Sequence, residues 1–362
     1  AKTVKYEYIE EPGTGKDVVV LSVGGKNIPT MRVQIFFDSD CEGAAFRIFE
    51  VAKVPEGKTA GMLSALNTLN YQYRFAKFVL NPKDSTIQAE ADTAFRAHDV
   101  DAVCIDTPTN MHKDIMIKAA KAGKHIYTEK VMCLNVKDCD EVIKAVEENH
   151  VVFTISLPQR AWPKFLFIKQ AIESGVIGDV TVLRCRNCHD GALAGWLPDY
   201  WYDPETTGGG AMMDLGAHPM YLSAWMLGNP VRIQSMFTNK TGHAVEDNSI
   251  STIEFEGGAI AVSETSLVSP MCPQIFEVYG TKGVILCEDD KVRIKTADSQ
   301  KYLKDGWVEP KLPPELPHPT RQWVEAILYG GEVRYGVKEG RMLTALMENA
   351  YISDRERREV KF

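Results

Sequence analysis

Lysine, aspartate and histidine side chains in two short segments of the 362-residue sequence have the types and spacing needed for acid–base chemistry. Lys130 ends Thr128-Glu129-Lys130, and Asp214 and His218 lie four residues apart after three consecutive glycines. This spacing places both side chains on one helical face, where a carboxylate can set the tautomer and basicity of an imidazole. The pattern predicts a general base that takes a proton from a hydroxyl group. A buried, satisfied histidine and a solvated lysine are the structural alternatives.

A second group of polar residues follows two predicted strands. Ligands of open α/β sheets bind at the carboxyl ends of parallel strands, so these positions suit a cofactor. A solvated loop is the alternative interpretation. The residues are Thr107, Pro108, Asn110, His112, Glu129 and Lys130.

The elements that must position these residues change in character along the chain. Up to residue 96, hairpin signals such as Gly24-Gly25-Lys26-Asn27 and a helical stretch over 57–72 predict a small, mainly antiparallel α+β unit. Residues 97–158 alternate β-α-β-α, which predicts part of a doubly wound parallel sheet. Residues 159–362 predict a C-terminal α/β domain with a large, mainly antiparallel sheet and helices on one face.

Composition excludes several classes of protein. The net charge of −8 gives no basic field for nucleic acid, and 44% hydrophobic residues are ordinary for a globular chain. No apolar run approaches the roughly 20 residues needed to cross a membrane, and the first ten residues lack a signal-peptide core, so we expect a cytoplasmic protein. Cys185, Cys188 and His189 match a haem-attachment spacing, but they follow a predicted strand and no second cysteine pair completes a metal site. No metal is predicted.

Three segments in order closely resemble the Gfo/Idh/MocA oxidoreductases, the family of glucose-fructose oxidoreductase and inositol dehydrogenase. They are DAVCIDTPTNMHKDIMIKAAKAGKHIYTEK, PQRAWPKFLFIKQAIESGVIGDV and GGGAMMDLGAH, and the resemblance runs from about Ala97 to Phe362. It implies a Rossmann domain, a C-terminal α/β domain and hydride transfer between NAD or NADP and a hydroxyl or ketone of a sugar, glycoside or polyol. It also implies a homo-oligomer, a dimer or tetramer, joined through the open sheet.

The resemblance also implies roles for single residues. Lys130 matches the lysine that holds the substrate hydroxyl and nicotinamide together, and Asp214 and His218 match the remaining catalytic pair, with His218 as the base. Val131 replaces the usual proline, so we expect a looser loop. The cofactor-binding residues implied are Thr107, Pro108, Asn110, His112, Glu129 and Lys130. The substrate-binding residues implied or suggested are Arg160, Trp201, Tyr202, Asp214 and His218, with Trp196 and Tyr200 as further aromatics that stack on a sugar or belong to the core.

The first 96 residues depart from this family pattern. They contain no G-x-G-x-x-G turn, and residues 5–95 resemble instead a YbjN-type domain, most clearly at Leu66–Asn70 and Arg74–Phe78. Two hypotheses follow. The first is a sugar or polyol dehydrogenase that retains its catalytic residues, and the second is a catalytically silent sugar-binding or regulatory protein without a working NAD(P) site.

Overall fold

The computed structural model describes residues 100–362 continuously and, before them, Lys58 and six strands. The chain divides into two compact units, Ala1–Asp101 and Ala102–Phe362. In the first unit the strands form one antiparallel sheet of order β1-β2-β3-β4-β6-β5. They are β1 (Val4–Glu10), β2 (Asp17–Gly25), β3 (Ile28–Phe37), β4 (Gly43–Lys53), β5 (Lys77–Leu80) and β6 (Thr86–Ala94).

The predicted hairpins of the first unit are present. Strands β2 and β3 pair antiparallel up to Gly25 and Ile28, and β5 pairs antiparallel with β6 up to Leu80 and Ile87. The helix predicted over 57–72 lies outside the described residues. The resemblance of this segment to a YbjN-type domain stays a prediction.

A small parallel sheet opens the second unit and confirms the predicted β-α-β-α-β rhythm. Ala102 pairs with His125 and Ile126 with Phe153, so the three strands run parallel in the order β7-β8-β9. The buried faces of the two intervening helices cover this sheet, and the Asn135 side chain caps the second helix by accepting the Asp138 N–H at 2.9 Å. The elements are β7 (Ala102–Ile105), α1 (Thr109–Lys121), β8 (His125–Thr128), α2 (Val136–Glu148) and β9 (Phe153–Ile155).

The rest of the second unit is built on a nine-stranded sheet of order β17-β16-β15-β14-β10-β13-β12-β11-β18. Its described pairs are antiparallel except β10 with β13, which agrees with the predicted mainly antiparallel sheet. Alternate side chains are buried, as in a sheet with one covered face. The strands are β10 (Val180–Cys188), β11 (Pro230–Thr238), β12 (Asn248–Phe255), β13 (Ile260–Ser266), β14 (Ile275–Gly280), β15 (Gly283–Glu288), β16 (Lys291–Thr296), β17 (Trp307–Val308) and β18 (Val360–Lys361).

Helices connect these strands and cover the buried face. Apolar residues of the two sheets and the helices between them form one continuous core, with Ile155, Phe165 and Leu343 among its fully buried members. No helix within the described ranges is both long and apolar enough to cross a bilayer. The helices are α3 (Pro163–Glu173), α4 (Pro204–Thr207), α5 (Ala217–Leu227), α6 (Ser299–Tyr302), α7 (Pro319–Tyr329) and α8 (Val337–Glu356).

Candidate active site

An ion pair joins the two segments that carry the predicted catalytic residues. The Lys130 ammonium donates to Asp214 Oδ1 and to the Asp214 main-chain oxygen, both at 2.7 Å. The two side chains are only 13% and 17% exposed. A lysine held this firmly and this far from bulk water is not a solvated loop residue, so the structure rejects that alternative for Lys130.

The backbone brings the pair together from residues 84 positions apart. Lys130 follows the carboxyl end of β8, where the main-chain N–H of Glu129 still donates to Ile105 of β7 at 3.0 Å. Asp214 lies in a π-helical turn, Met212–Gly216, that continues into α5. The sequence predicts a regular helix here. The wider turn replaces its first part, a local feature often found at functional sites.

The partner of His218 differs from the sequence-based expectation. Its Nδ1 lies 3.0 Å from the Tyr221 hydroxyl, and the Gln159 main-chain N–H donates to that same oxygen at 3.3 Å. The Asp214 carboxylate is held by Lys130 instead. The expectation that Asp214 sets the tautomer of His218 is therefore wrong, because Tyr221 occupies the position beside Nδ1. When Nδ1–H donates to Tyr221, Nε2 keeps a lone pair that can accept a proton.

The charges of this group follow from its surroundings. Desolvation, reinforced by the Lys130 charge and opposed by Asp214, lowers the pKa of His218 to about 3. Desolvation acts to raise the pKa of Asp214, but the attraction and hydrogen bond of Lys130 outweigh it and the pKa falls below its usual value. At neutral pH the group is therefore a neutral imidazole beside a lysine–carboxylate ion pair.

The three glycines before Asp214 are needed for packing within the protein. A side chain on Gly208 would collide with Leu134, one on Gly209 with the Tyr351 hydroxyl, and one on Gly210 with the main chain of Glu246. Three glycines could also serve a close approach of the backbone to a ligand, but the structure fills that space with protein. Close packing therefore accounts for all three positions.

Glu246 holds this glycine turn and was not found from the sequence. Its carboxylate accepts the main-chain N–H groups of Gly210 at 3.0 Å and Met212 at 2.9 Å, and the Tyr351 hydroxyl at 2.7 Å. Desolvation raises the pKa of Glu246 despite these hydrogen bonds. No sequence signal identifies it, since it lies 34 residues from Met212 in the loop before β12.

His112 ties together the two loops predicted to bind the cofactor. Its Nε2 lies 2.8 Å from the Thr107 main-chain oxygen and its Nδ1 lies 2.9 Å from that of Val131. The side chain is only 1% exposed. In this structure His112 is a support for both loops, and it does not face an open cleft as the cofactor assignment implies.

The loop after Lys130 is held in spite of its missing proline. Val131 is buried, its carbonyl contacts His112, and the Lys130–Val131 peptide bond is cis. The expectation of a looser loop is therefore wrong, because packing and a hydrogen bond replace the restriction that proline would impose.

The remaining residues of the cofactor prediction have mixed surroundings. Thr107 has a buried hydroxyl with no hydrogen-bond partner in the described part of the chain. Pro108 directly precedes α1, the Asn110 side chain donates to the Glu205 carbonyl at 3.0 Å, and the Glu129 carboxylate accepts the Lys130 N–H at 3.3 Å. Thr107 is thus the member whose hydrogen-bonding capacity is unused.

Arg160 has a different environment from the predicted one. Its Cζ lies 4.9 Å from the ring centroid of Trp225 and 5.2 Å from that of Tyr335. Within residues 100–362, no hydrogen bond or ion pair joins its side chain to Lys130, Asp214 or His218. Its assignment to the substrate stays a prediction.

The aromatic residues before the glycine turn divide into packed and open members. Trp201 packs beside a small buried cluster that includes Leu215, and Tyr202 stacks on His243 with ring centroids 3.6 Å apart. Trp196 is 56% exposed and its ring centroid lies 4.8 Å from that of His189. Trp196 is therefore the member most open to a ligand.

His189 is a further imidazole near the site that the sequence indicated only through the haem-like spacing. Its Nδ1 accepts the Gly191 N–H at 2.9 Å, and burial lowers its pKa while the charges of Asp214 and Asp190 oppose the shift. Cys185 of the same motif is buried within β10. In the part of the chain that the structure describes, no group of three His, Cys, Asp or Glu residues is arranged to hold a metal ion.

Two family models match the chain, one over the parallel sheet and one over most of the nine-stranded sheet that follows it. Residues 72–157 match an oxidoreductase family with an NAD-binding Rossmann fold, and residues 165–286 match the GFO/IDH/MocA C-terminal domain. The chain belongs to the GFO/IDH/MocA family. The predicted family resemblance is confirmed, and the Rossmann match begins at residue 72, ahead of the predicted start near Ala97.

Relatives of this GFO/IDH/MocA chain are sugar and polyol enzymes. Inositol 2-dehydrogenase of Rhizobium meliloti is 26% identical over 280 residues, which are 74% of this chain and 83% of the relative. Myo-inositol 2-dehydrogenase of Thermotoga maritima is 29% identical over 199 residues, 52% of this chain and 57% of the relative. The family prediction of an NAD(P)-dependent oxidoreductase acting on sugars or polyols agrees with these names.

A solved structure supports the fold. Levoglucosan dehydrogenase in complex with NADH has a TM-score of 0.66 and 22% identity, covering 73% of this chain and 80% of the other. This likeness confirms the predicted mixed α/β architecture. The roles of individual site residues rest on the geometry of this chain.

Proposed function

We propose that this protein is an NAD(P)-dependent dehydrogenase of a sugar, glycoside or polyol, with Lys130, Asp214 and His218 as its catalytic residues. The observation that supports the proposal most directly is the 2.7 Å ion pair between Lys130 and Asp214, on the helical segment that also carries His218. A hydroxyl group placed between the Lys130 ammonium and His218 Nε2 has a donor and an acceptor at once.

Lys130, His218 and Asp214 have different roles in removing the proton from the substrate hydroxyl. Lys130 donates to the substrate oxygen and stabilises the negative charge that grows there as the proton leaves. His218 Nε2 accepts the proton, and Tyr221 keeps the imidazole oriented through Nδ1. Asp214 holds the ammonium in place and balances its charge.

The cofactor assignment depends on the loops after β7 and β8. When bound, NAD(P)+ accepts the hydride from the substrate carbon. The buried Thr107 hydroxyl, which has no hydrogen-bond partner among the described residues, and the Lys130 side chain fit the nicotinamide end of such a cofactor. Residues 1–96 have no G-x-G-x-x-G turn for the pyrophosphate, and the segments between their strands, Lys58 apart, lie outside the described residues.

The substrate class follows from the donors at the site and from its relatives. A polyhydroxy compound offers several hydroxyls to a site that holds an ammonium and two imidazoles, and exposed Trp196 beside His189 suits the apolar face of a sugar ring. The curated relatives named above act on inositols. Trp196 lies at the entrance in this proposal, and Trp201 and Tyr202 are further candidates for substrate contact.

The test is removal of the ion pair as a unit. Because Lys130→Met alone would leave a carboxylate unpaired in a poorly hydrated site, the double variant Lys130→Met/Asp214→Asn is the cleaner change. We expect it to lower the NAD(P)H formation rate with inositols or anhydro sugars by about 10²- to 10⁴-fold while the protein stays folded. The control is Lys113→Met/Asp138→Asn, which removes another 2.7 Å ion pair between α1 and α2.

Unchanged turnover in the first double variant, or equal losses in both, would reject the catalytic assignment. The runner-up is a sugar-binding or regulatory protein with no dehydrogenase activity. Calorimetric titration distinguishes the dehydrogenase from this second candidate. A folded protein that binds a sugar but neither NAD+ nor NADP+ would support the sugar-binding or regulatory protein.

We further propose that the open face of the nine-stranded sheet joins two copies of this chain. Exposed apolar side chains lie on it in neighbouring strands, Met236 of β11 opposite Ile250 of β12. Glu264 bridges Arg184 and Arg186 at 2.6 and 2.7 Å beside them. An apolar patch rimmed by ordered charges is the composition of a protein interface.

A further inference from the structure

A cavity of about 300 Å³ lies between α5 and the first turns of α8. Arg160, Trp225, Lys338 and Met342 are among the residues that line it. The volume is at the lower end of the range of small-molecule sites. None of the three catalytic residues proposed above lines this cavity.

The guanidinium of Arg160 is the unusual group in the cavity wall. Its Cζ lies 4.9 Å from the ring centroid of Trp225 and 5.2 Å from that of Tyr335. Its Nε is buried and has no hydrogen-bond partner among the residues that the structure describes. Within residues 100–362 its side chain makes no ion pair with a carboxylate. Burial lowers the pKa of Arg160, and the nearby charge of Glu339 opposes that shift only in part. The guanidinium is partly buried, and a partly buried cation without a carboxylate partner would be stabilised by an anionic ligand.

The rest of the cavity also favours negative charge. Arg160 and Lys338 place two cations in the lining against one carboxylate, that of Glu339. The Glu339 carboxylate is already engaged, because it accepts the Gly336 N–H at 2.9 Å and caps its own helix. The cavity meets α8 at its N-terminal end, where the helix dipole attracts anions.

The remaining walls decide what kind of anion fits. Leu157, Met342 and Leu343 give the cavity an apolar side, which a fully hydrated inorganic anion would not use. The edge of a guanidinium pairs best with the two oxygens of a carboxylate or phosphate. We propose that this cavity binds a small organic carboxylate whose charged group pairs with Arg160 and whose apolar body lies against these walls.

The proposed site is distinct from the catalytic group, although Tyr221 separates the two by only one side chain. Tyr221 lines the cavity, and its hydroxyl contacts His218 Nδ1 at 3.0 Å. The inference goes beyond the dehydrogenase activity and stands without it, because it concerns binding at Arg160.

The test is calorimetric titration of the full chain with benzoate, with the neutral benzamide and with inorganic phosphate, each up to about 20 mM. We expect benzoate to bind, benzamide not to bind, and phosphate to bind more weakly than benzoate. Arg160→Met should weaken benzoate binding by about 10- to 100-fold, the value of one charged hydrogen-bonded pair. The matched control is Lys169→Met, which removes a cation 6.0 Å from the same Trp225 ring but outside the cavity lining.

A second variant guards against loss of folding in Arg160→Met. Lys338→Met changes a residue of α8 and should weaken benzoate binding by a smaller factor, about threefold, without disturbing the aromatic contacts of Arg160. Equal binding of benzoate and benzamide, tighter binding of phosphate, or no binding of benzoate to the folded protein would each overturn the proposal. So would benzoate binding that survives Arg160→Met and is lost in Lys130→Met, since the carboxylate would then occupy the catalytic site.

Discussion

His218 links the chemistry of the site to the stability of the protein. The pKa of His218 in the folded protein is about 3, below the ordinary 6.5. Between these pH values the imidazole is therefore protonated in the unfolded chain and neutral in the folded protein. The contribution of His218 to the free energy of unfolding is therefore fully present above about pH 6.5. Below that pH it falls by about 1.4 kcal/mol per pH unit. We expect urea unfolding to show a shallower loss between pH 6.5 and 4.5 in His218→Asn than in the wild type.

His150→Asn is the control for that measurement, because His150 is exposed. Its unfolding free energy should follow the wild-type dependence on pH. Identical slopes for His218→Asn and the wild type would contradict a neutral, desolvated His218.

Tyr221 acts through His218, so its removal should affect turnover more than substrate binding. Tyr221→Phe keeps the buried ring and deletes only the hydroxyl beside Nδ1. We expect kcat to fall by about tenfold, the value of one hydrogen bond, with KM nearly unchanged. The control is Tyr329→Phe at an exposed position on α7. A change confined to KM would place Tyr221 in substrate binding instead.

At the scale of elements, the glycine turn depends on a carboxylate from another part of the chain. Glu246 Oε1 accepts all three donors, from Gly210, Met212 and Tyr351, and Oε2 also faces the Gly210 N–H. A glutamine loses the charge that strengthens these hydrogen bonds and places an NH2 donor where Oε2 faces that N–H. We expect Glu246→Gln to lower the free energy of unfolding by about 1–3 kcal/mol and to lower activity because Asp214 follows the turn. Chemical denaturation of this variant and of exposed Glu309→Gln measures the difference. Equal stability would show that the turn holds without these hydrogen bonds.

At the scale of the whole molecule, the interface proposed on the open sheet face predicts that the protein associates. Ile250→Asp places a charge at a 49% exposed position on that face, opposite Met236. We expect size-exclusion chromatography with light scattering to give a smaller species for this variant than for the wild type, because an interface does not tolerate an unpaired buried charge. Leu328→Asp, at an exposed position on α7, should leave the mass unchanged. A monomeric wild type would reject the proposed interface.

The sequence by itself determined the fold class and the family, and it pointed to Lys130, Asp214 and His218, whose catalytic roles stay a prediction. Hydrophobic periodicity and short motifs are local properties, and the alternation over 97–158 predicted the parallel strands that the structure contains. The π-helical turn and the close packing of Gly208, Gly209 and Gly210 against distant parts of the chain were beyond such reasoning, because no local pattern encodes them.

Only the tertiary structure decided which side chains meet. Lys130 and Asp214 are 84 residues apart, and Glu246 reaches the glycine turn from the loop before β12, so no local spacing encodes either contact. Tyr221 lies three residues after His218 on one helix, a spacing that could have indicated their contact. The partner of Asp214 and the cavity around Arg160 depend instead on how distant helices and strands pack. Long-range packing gives each polar group its final neighbour, and this sets its charge and its chemistry.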